Sequence, residues 1–161
     1  MRKLALLVVL LGILLLAGSN VAVAQTTATQ DVTIVVNSID TISVSGNPGT
    51  ITVSGPLPAT VTENTTTMDY STNGTNLKIT AALDLDYAAG ITLSVELTPG
   101  AGEGTAASKV ALSTVAADVV TGISNVSATL VPITYTADVL ATAAPNAPGG
   151  ETHTVTFTIT L

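Results

Sequence analysis

The sequence predicts an all-β protein: an antiparallel two-sheet β-sandwich, immunoglobulin-like or jelly-roll, with about eight to ten short strands. Three observations carry this. Apolar and polar residues alternate with a period of two along several stretches, the mark of strands with one buried face. Those stretches are rich in Thr, Val and Ile, whose stiff branched side chains suit a pleated surface. Clusters of Gly, Pro and Asn interrupt them at short intervals.

Residues 1–24 read as a cleaved signal peptide. Arg2 and Lys3 precede an apolar run from Leu4 to Ala17, and Ala22-Val23-Ala24 offers a small-residue cleavage site before Gln25. The run is shorter than the roughly 20 residues a spanning helix needs. No second apolar run follows it, so the expected product is secreted, extracellular or at the cell surface, without a membrane span after cleavage. Residues 25–30 read as a flexible leader, and 31–161 as a single sandwich domain.

In chain order, 31–36 alternates with Val32, Ile34 and Val36 on one face and reads as a strand. Residues 41–46 and 50–55 are two alternating runs joined by Asn47-Pro48-Gly49, the pattern of a β-hairpin. Past Pro56 and Pro58, short strands are expected at 59–63 and at 67–72, before the Asn73-Gly74 turn. Clean alternation follows at 77–85 and 91–97, and the short link between them predicts antiparallel neighbours. After a Gly-rich loop at 99–104 come weaker strands at 110–113 and 118–123. The Ala-rich stretch 106–117 has room for a helical turn, though Thr114 and Val115 oppose a long helix. At 131–137, Pro132 cannot donate to a ladder, so that strand is expected to be at an edge or bulged. A loop at 141–150 leads to the clearest strand, 152–161, where Thr at even positions faces out and Val155, Phe157, Ile159 and Leu161 face in.

Composition narrows the function. The chain has no Cys, which removes thiol catalysis, zinc-thiolate sites and iron–sulfur clusters. Beyond the leader only Lys78 and Lys109 are basic, against 11 acidic residues, so nucleic acid and anionic membranes are poor partners. His153 is the single histidine, and nothing beside it in sequence marks an activated serine. Gly100 to Thr105 has the glycines of a phosphate loop but carries Glu103 and no Lys. Asp84 and Asp86 share a face at a strand end and are the candidate calcium ligands, without the spacing of an EF-hand loop. A carboxylate pair also serves glycoside hydrolysis, yet there is no Trp for a sugar platform. No catalytic residue and no required cofactor is expected. Asn64, Asn73 and Asn125 begin N-glycosylation acceptor patterns, which arise readily by chance in a Thr-rich chain.

Several segments resemble a broad group of uncharacterised secreted β-sandwich proteins of prokaryotes: Ser38-Ile-Asp-Thr-Ile42, Lys78-Ile-Thr-Ala81, Ala89-Gly-Ile-Thr-Leu93, Val110-Ala-Leu-Ser-Thr114, Asp118-Val-Val-Thr-Gly-Ile123 and Thr154-Val-Thr-Phe-Thr-Ile-Thr160. More loosely, the chain is similar to fimbrial and biofilm-fibre subunits, without the disulfide common in pilins. The resemblance implies assembly by an exchanged strand and carries no functional residue across.

Two functions follow as expectations. One is a structural subunit of a filament, pilus-like fibre or surface layer, a homopolymer in which Val32, Ile34 and Val36 form the assembly strand. The other is a surface adhesion module binding a glycan or protein through loops 99–104 and 141–150. Those loops lack the aromatic and Arg anchors of most hot spots.

Overall fold

A computed structural model describes residues 26–161; the signal peptide expected at 1–24 lies outside the described residues. One unit of the chain ends at Val35 and a second, compact unit spans Val36–Leu161. Within the described residues there is no helix, so the helical turn allowed for at 106–117 does not form. The strands are β1 (Asp40–Val44), β2 (Ala59–Thr72), β3 (Leu77–Leu83), β4 (Ile91–Leu97), β5 (Thr105–Ala106), β6 (Val110–Ala111), β7 (Ala117–Ile123), β8 (Val126–Val139) and β9 (Val155–Thr160).

They form an all-β, two-sheet sandwich. One sheet has the order β1-β2-β8-β4-β6 and the other β5-β7-β3-β9, with every neighbouring pair antiparallel. From β2 to β9 successive strands alternate strictly between the two sheets. Inward side chains of both sheets build one core. Met68, Tyr70, Val95, Leu97, Val131 and Ile133 come from the first sheet, and Leu77, Ile79, Ala81, Val119, Val120 and Ile123 from the second. Each sheet supplies its apolar face by the period-two rule, and neither face is buried without the other.

Two expectations are overturned. The link between 77–85 and 91–97 does not join ladder neighbours: β3 and β4 lie in different sheets, and residues 84–90 pass from one to the other. A short link can arch across a sandwich as readily as it can turn a hairpin. Leu85 falls past the end of β3 and is exposed. The hairpin expected at 41–55 does not form either. Only its first arm is a strand, and β1 pairs with the far end of β2, setting Ile42 opposite Tyr70 and Val44 opposite Met68. Cross-strand contact with two large side chains is worth more than pairing with the Ser- and Thr-rich arm at 50–55. That arm runs as coil, with Ile51 packed on the core edge.

The stretches expected as separate strands at 59–63 and 67–72 are one long strand, β2, paired with the equally long β8. Two bulges fit them together, one between Glu63 and Thr66 on β2 and one opposite Asp69 on β8. A bulge leaves a backbone N–H without a ladder partner, and here a carboxylate takes each one. Glu63 Oε1 accepts from Thr65 N–H at 3.0 Å, and Asp69 Oδ1 accepts from Leu130 N–H at 2.6 Å. Leu130 sits in the second bulge with φ +55°.

Pro132 lies two residues beyond Leu130, in a strand that is central rather than at an edge. Its position is tolerated because the β4 ladder stops at Leu97–Ile133, next to it. Its carbonyl accepts from Thr98 N–H at 3.0 Å just past the end of the β4 ladder, while the β2 ladder continues through Thr67–Pro132.

Residues 31–36 form no strand. Alternation fits them for one, but a strand needs a neighbour, and no described ladder pairs with them.

Candidate functional site

Val32, Ile34 and Val36 are 77%, 82% and 76% exposed, and Val35 between them is 76% exposed. The backbone that follows is held firmly. Asn73, at the turn after β2, accepts from Ile39 N–H at 2.9 Å through Oδ1. It donates from Nδ2 to the Asn37 carbonyl at 2.7 Å, and its own N–H donates to the Ile39 carbonyl at 3.2 Å. The ladder between β1 and β2 thus runs on to Ile39, with a side-chain amide taking the place of one backbone group.

His153 has a larger role than its sequence context suggested. Its side chain is 8% exposed and lies between two carboxylates, with Nε2 2.8 Å from Glu151 Oε1 and Nδ1 3.5 Å from Asp84 Oδ1. The Tyr87 ring meets it edge to face, centroids 4.6 Å apart. Both acids also hold backbone: Asp84 accepts from Leu85 and Thr154 N–H, and Glu151 from Ala88 N–H. The cluster clasps the link after β3 to the run-in of β9. Hydrogen bonding from Thr154 holds the Asp84 carboxyl below its usual range, and the bond from His153 does the same for Glu151. Burial raises the Tyr87 phenol. The described partners of the imidazole are two acids and a ring, none of them a nucleophile, so the arrangement can bind the two segments together but has no acyl-transfer geometry. No short-range pattern points to it, because Asp84 and Thr154 are 70 residues apart.

The candidate calcium ligands Asp84 and Asp86 hold different segments. Asp84 belongs to the histidine clasp, while Asp86 Oδ1 accepts from Thr114 N–H at 2.9 Å. Among the described residues no group of three or more His, Cys, Asp or Glu side chains is placed to hold a metal.

The loop at 99–104 closes on itself: Glu103 Oε2 accepts from Gly100 N–H at 2.6 Å, and the Glu103 carbonyl accepts from the Tyr70 hydroxyl, also at 2.6 Å. Burial, then the Glu103 charge, pushes the Tyr70 phenol up to about 12. Gly104 has φ +126°, and a Cβ there would lie 2.7 Å from Val120 Cγ1. The glycine lets the loop press on the core. Of the acceptor-pattern asparagines, Asn64 lies at the β2 bulge and Asn125 at the turn before β8, both exposed, whereas Asn73 is committed to its clamp.

These features define an all-β two-sheet sandwich whose polar clusters tie segments of the chain together. Compared with family models, curated proteins and solved structures, the chain matches none.

Proposed function

We propose that this protein is a non-enzymatic structural subunit of an extracellular filament, pilus-like fibre or surface layer, and that copies join through residues 31–36. The observation that carries this reading is the segment itself: an alternating apolar strand sequence that stands in no ladder with the described residues and exposes Val32, Ile34, Val35 and Val36. A strand sequence without a sheet is suited to completing someone else's. Burying Val32, Ile34 and Val36 contributes about 5–9 kcal/mol, while ordering six residues costs about 6–12 kcal/mol of backbone entropy. The segment therefore binds only where the receiving surface adds ladder hydrogen bonds and apolar area of its own. Each copy without residues 1–24 keeps only Lys78 and Lys109 against 11 acidic residues, a net charge of −9, so assembly is expected to strengthen with salt.

The test is size exclusion and negative-stain microscopy of the exported protein, compared with a form lacking residues 31–36. Fibres or large oligomers are expected from the first and monomers from the second. A complete chain that stays monomeric at high concentration, with or without calcium, would sink the proposal.

A further inference from the structure

The proposed function leaves open where a donated strand would go. The described strands differ sharply in the edges they offer. β5 and β6 are two residues long. β1 is five residues, opens with Asp40 and turns only Ile42 toward the core, with Val44 49% exposed. β9 is six residues, pairs with β3 along one side, and has no ladder on the other among the described residues.

The β9 edge lacks the usual protections within its own sequence, although β1 comes close to it without forming a ladder. Exposed edges are normally blunted by Lys, Pro, a bulge or an inward charge. Val155-Thr-Phe-Thr-Ile-Thr160 has none of these, and its register with β3 runs unbroken from Lys78–Thr160 to Leu83–Val155. Its inward residues Val155, Phe157 and Ile159 are only partly buried, whereas their partners Leu83, Ala81 and Ile79 on β3 are 5%, 0% and 0% exposed. The core is thus left short of cover along one line.

We infer that the free edge of β9 is the acceptor for residues 31–36 of a second copy, paired antiparallel with Ile34 opposite Phe157. The inference rests on the strand-donation reading above and adds the receiving site. Donor and acceptor are both six residues long, and both present three apolar side chains at a period of two. Centred on each other, Val32 meets Ile159 and Val36 meets Val155, while Thr33 and Thr158 meet on the outer face. The antiparallel sense continues that of the whole sheet.

The absence of cysteine makes the test clean. Full-length chains carrying Thr33→Cys are mixed with differently tagged chains carrying Thr158→Cys, or Ser43→Cys on the β1 edge, and oxidised. A disulfide-linked heterodimer is expected with Thr158→Cys and not with Ser43→Cys. It should be lost when Ile34→Asp is added to the Thr33→Cys chain. Three results would overturn the inference. Linkage to Ser43→Cys alone moves the acceptor to β1 and leaves the strand-donation reading standing. Oligomers that need residues 31–36 but form neither heterodimer reject β9 in the same way. Monomers under every condition reject the proposed function together with the inference.

Discussion

β3 and β9 lie side by side, carry the same alternating pattern and are buried very differently. Ile79 and Ala81 of β3 are 0% exposed, while Ile159 and Phe157, directly opposite them, are only partly covered. Side-chain size does not explain it, since both pairs include an Ile. The difference is ladder partners: β3 has β7 on one side and β9 on the other, and among the described residues β9 has β3 alone. Residues 31–36 extend the series, with the same pattern, no ladder partner among the described residues and apolar side chains more than three-quarters exposed. Alternation states which face of a strand is apolar; the number of ladder partners decides how far that face leaves water.

The largest effect is expected where the series is fully buried. Ile79→Ala in β3 should cost about 2–5 kcal/mol, since it opens a cavity between two complete sheets. Ile159→Ala should cost clearly less in the isolated chain, because part of its surface is already wet and the edge can relax. Urea denaturation of both variants gives the comparison directly. Equal losses would break it, by showing that β9 is as well covered as β3. If a second copy covers β9, the cost of Ile159→Ala should rise on assembly while that of Ile79→Ala stays put.

Acid should act next, through the clasp that leads into β9. The carboxyls of Asp84 and Glu151 are held below their ordinary values of 3.8 and 4.5. In each case the folded state binds its proton less readily than the unfolded state. The resulting stabilisation is complete above those ordinary values and is lost as pH falls through the lowered folded values. The urea midpoint should therefore drop between neutral pH and about pH 3. Glu151→Gln, which removes one of the two groups, should flatten that dependence. An unchanged acid slope in that variant would show that the clasp does not steady β9.

At the alkaline end the sign reverses. Burial and then the Glu63 charge push the Tyr135 phenol up to about 12, and Tyr70 is raised to about 12 by burial and Glu103. The unfolded chain releases these protons near 10, so stability should fall as pH rises from about 10 toward 12. Phenolate absorbance should show Tyr70 and Tyr135 ionising together with unfolding rather than ahead of it.

The same comparison explains what could be read from the amino acids. The inward faces of β3, β4 and β9 were legible, because a period of two assigns each side chain to a face without reference to any neighbour, but the strand ends were not: Leu85 and Leu161, expected inward, fall past β3 and β9 and are exposed. Sheet membership was not legible either. Residues 84–90 are as short as a hairpin link, yet they cross between sheets, and nothing local separates an arch from a turn. The hairpin at 41–55 failed for the same reason: its first arm had a better partner at Met68 and Tyr70, which only the folded register brings near. The histidine clasp was hidden by distance, with Asp84 and Thr154 70 residues apart in sequence. For 31–36 the apolar face was plain, and the missing partner was not.

The smallest effect on stability should come from the end of the series with no ladder partner among the described residues, and its smallness is informative. Ile34→Asp places a charge on a side chain that is 82% exposed and in no ladder. Substitutions away from packed features usually stay within about 0.5 kcal/mol, so the urea midpoint of the monomer should barely move. Ile159→Asp in β9 should cost much more, because it sets a charge on the half-buried face of a paired strand. If Ile34→Asp nevertheless abolishes fibres or large oligomers, the segment matters only between molecules. If it unfolds the monomer instead, 31–36 has a partner within its own chain in solution, and the series from two neighbours to none ends one step earlier.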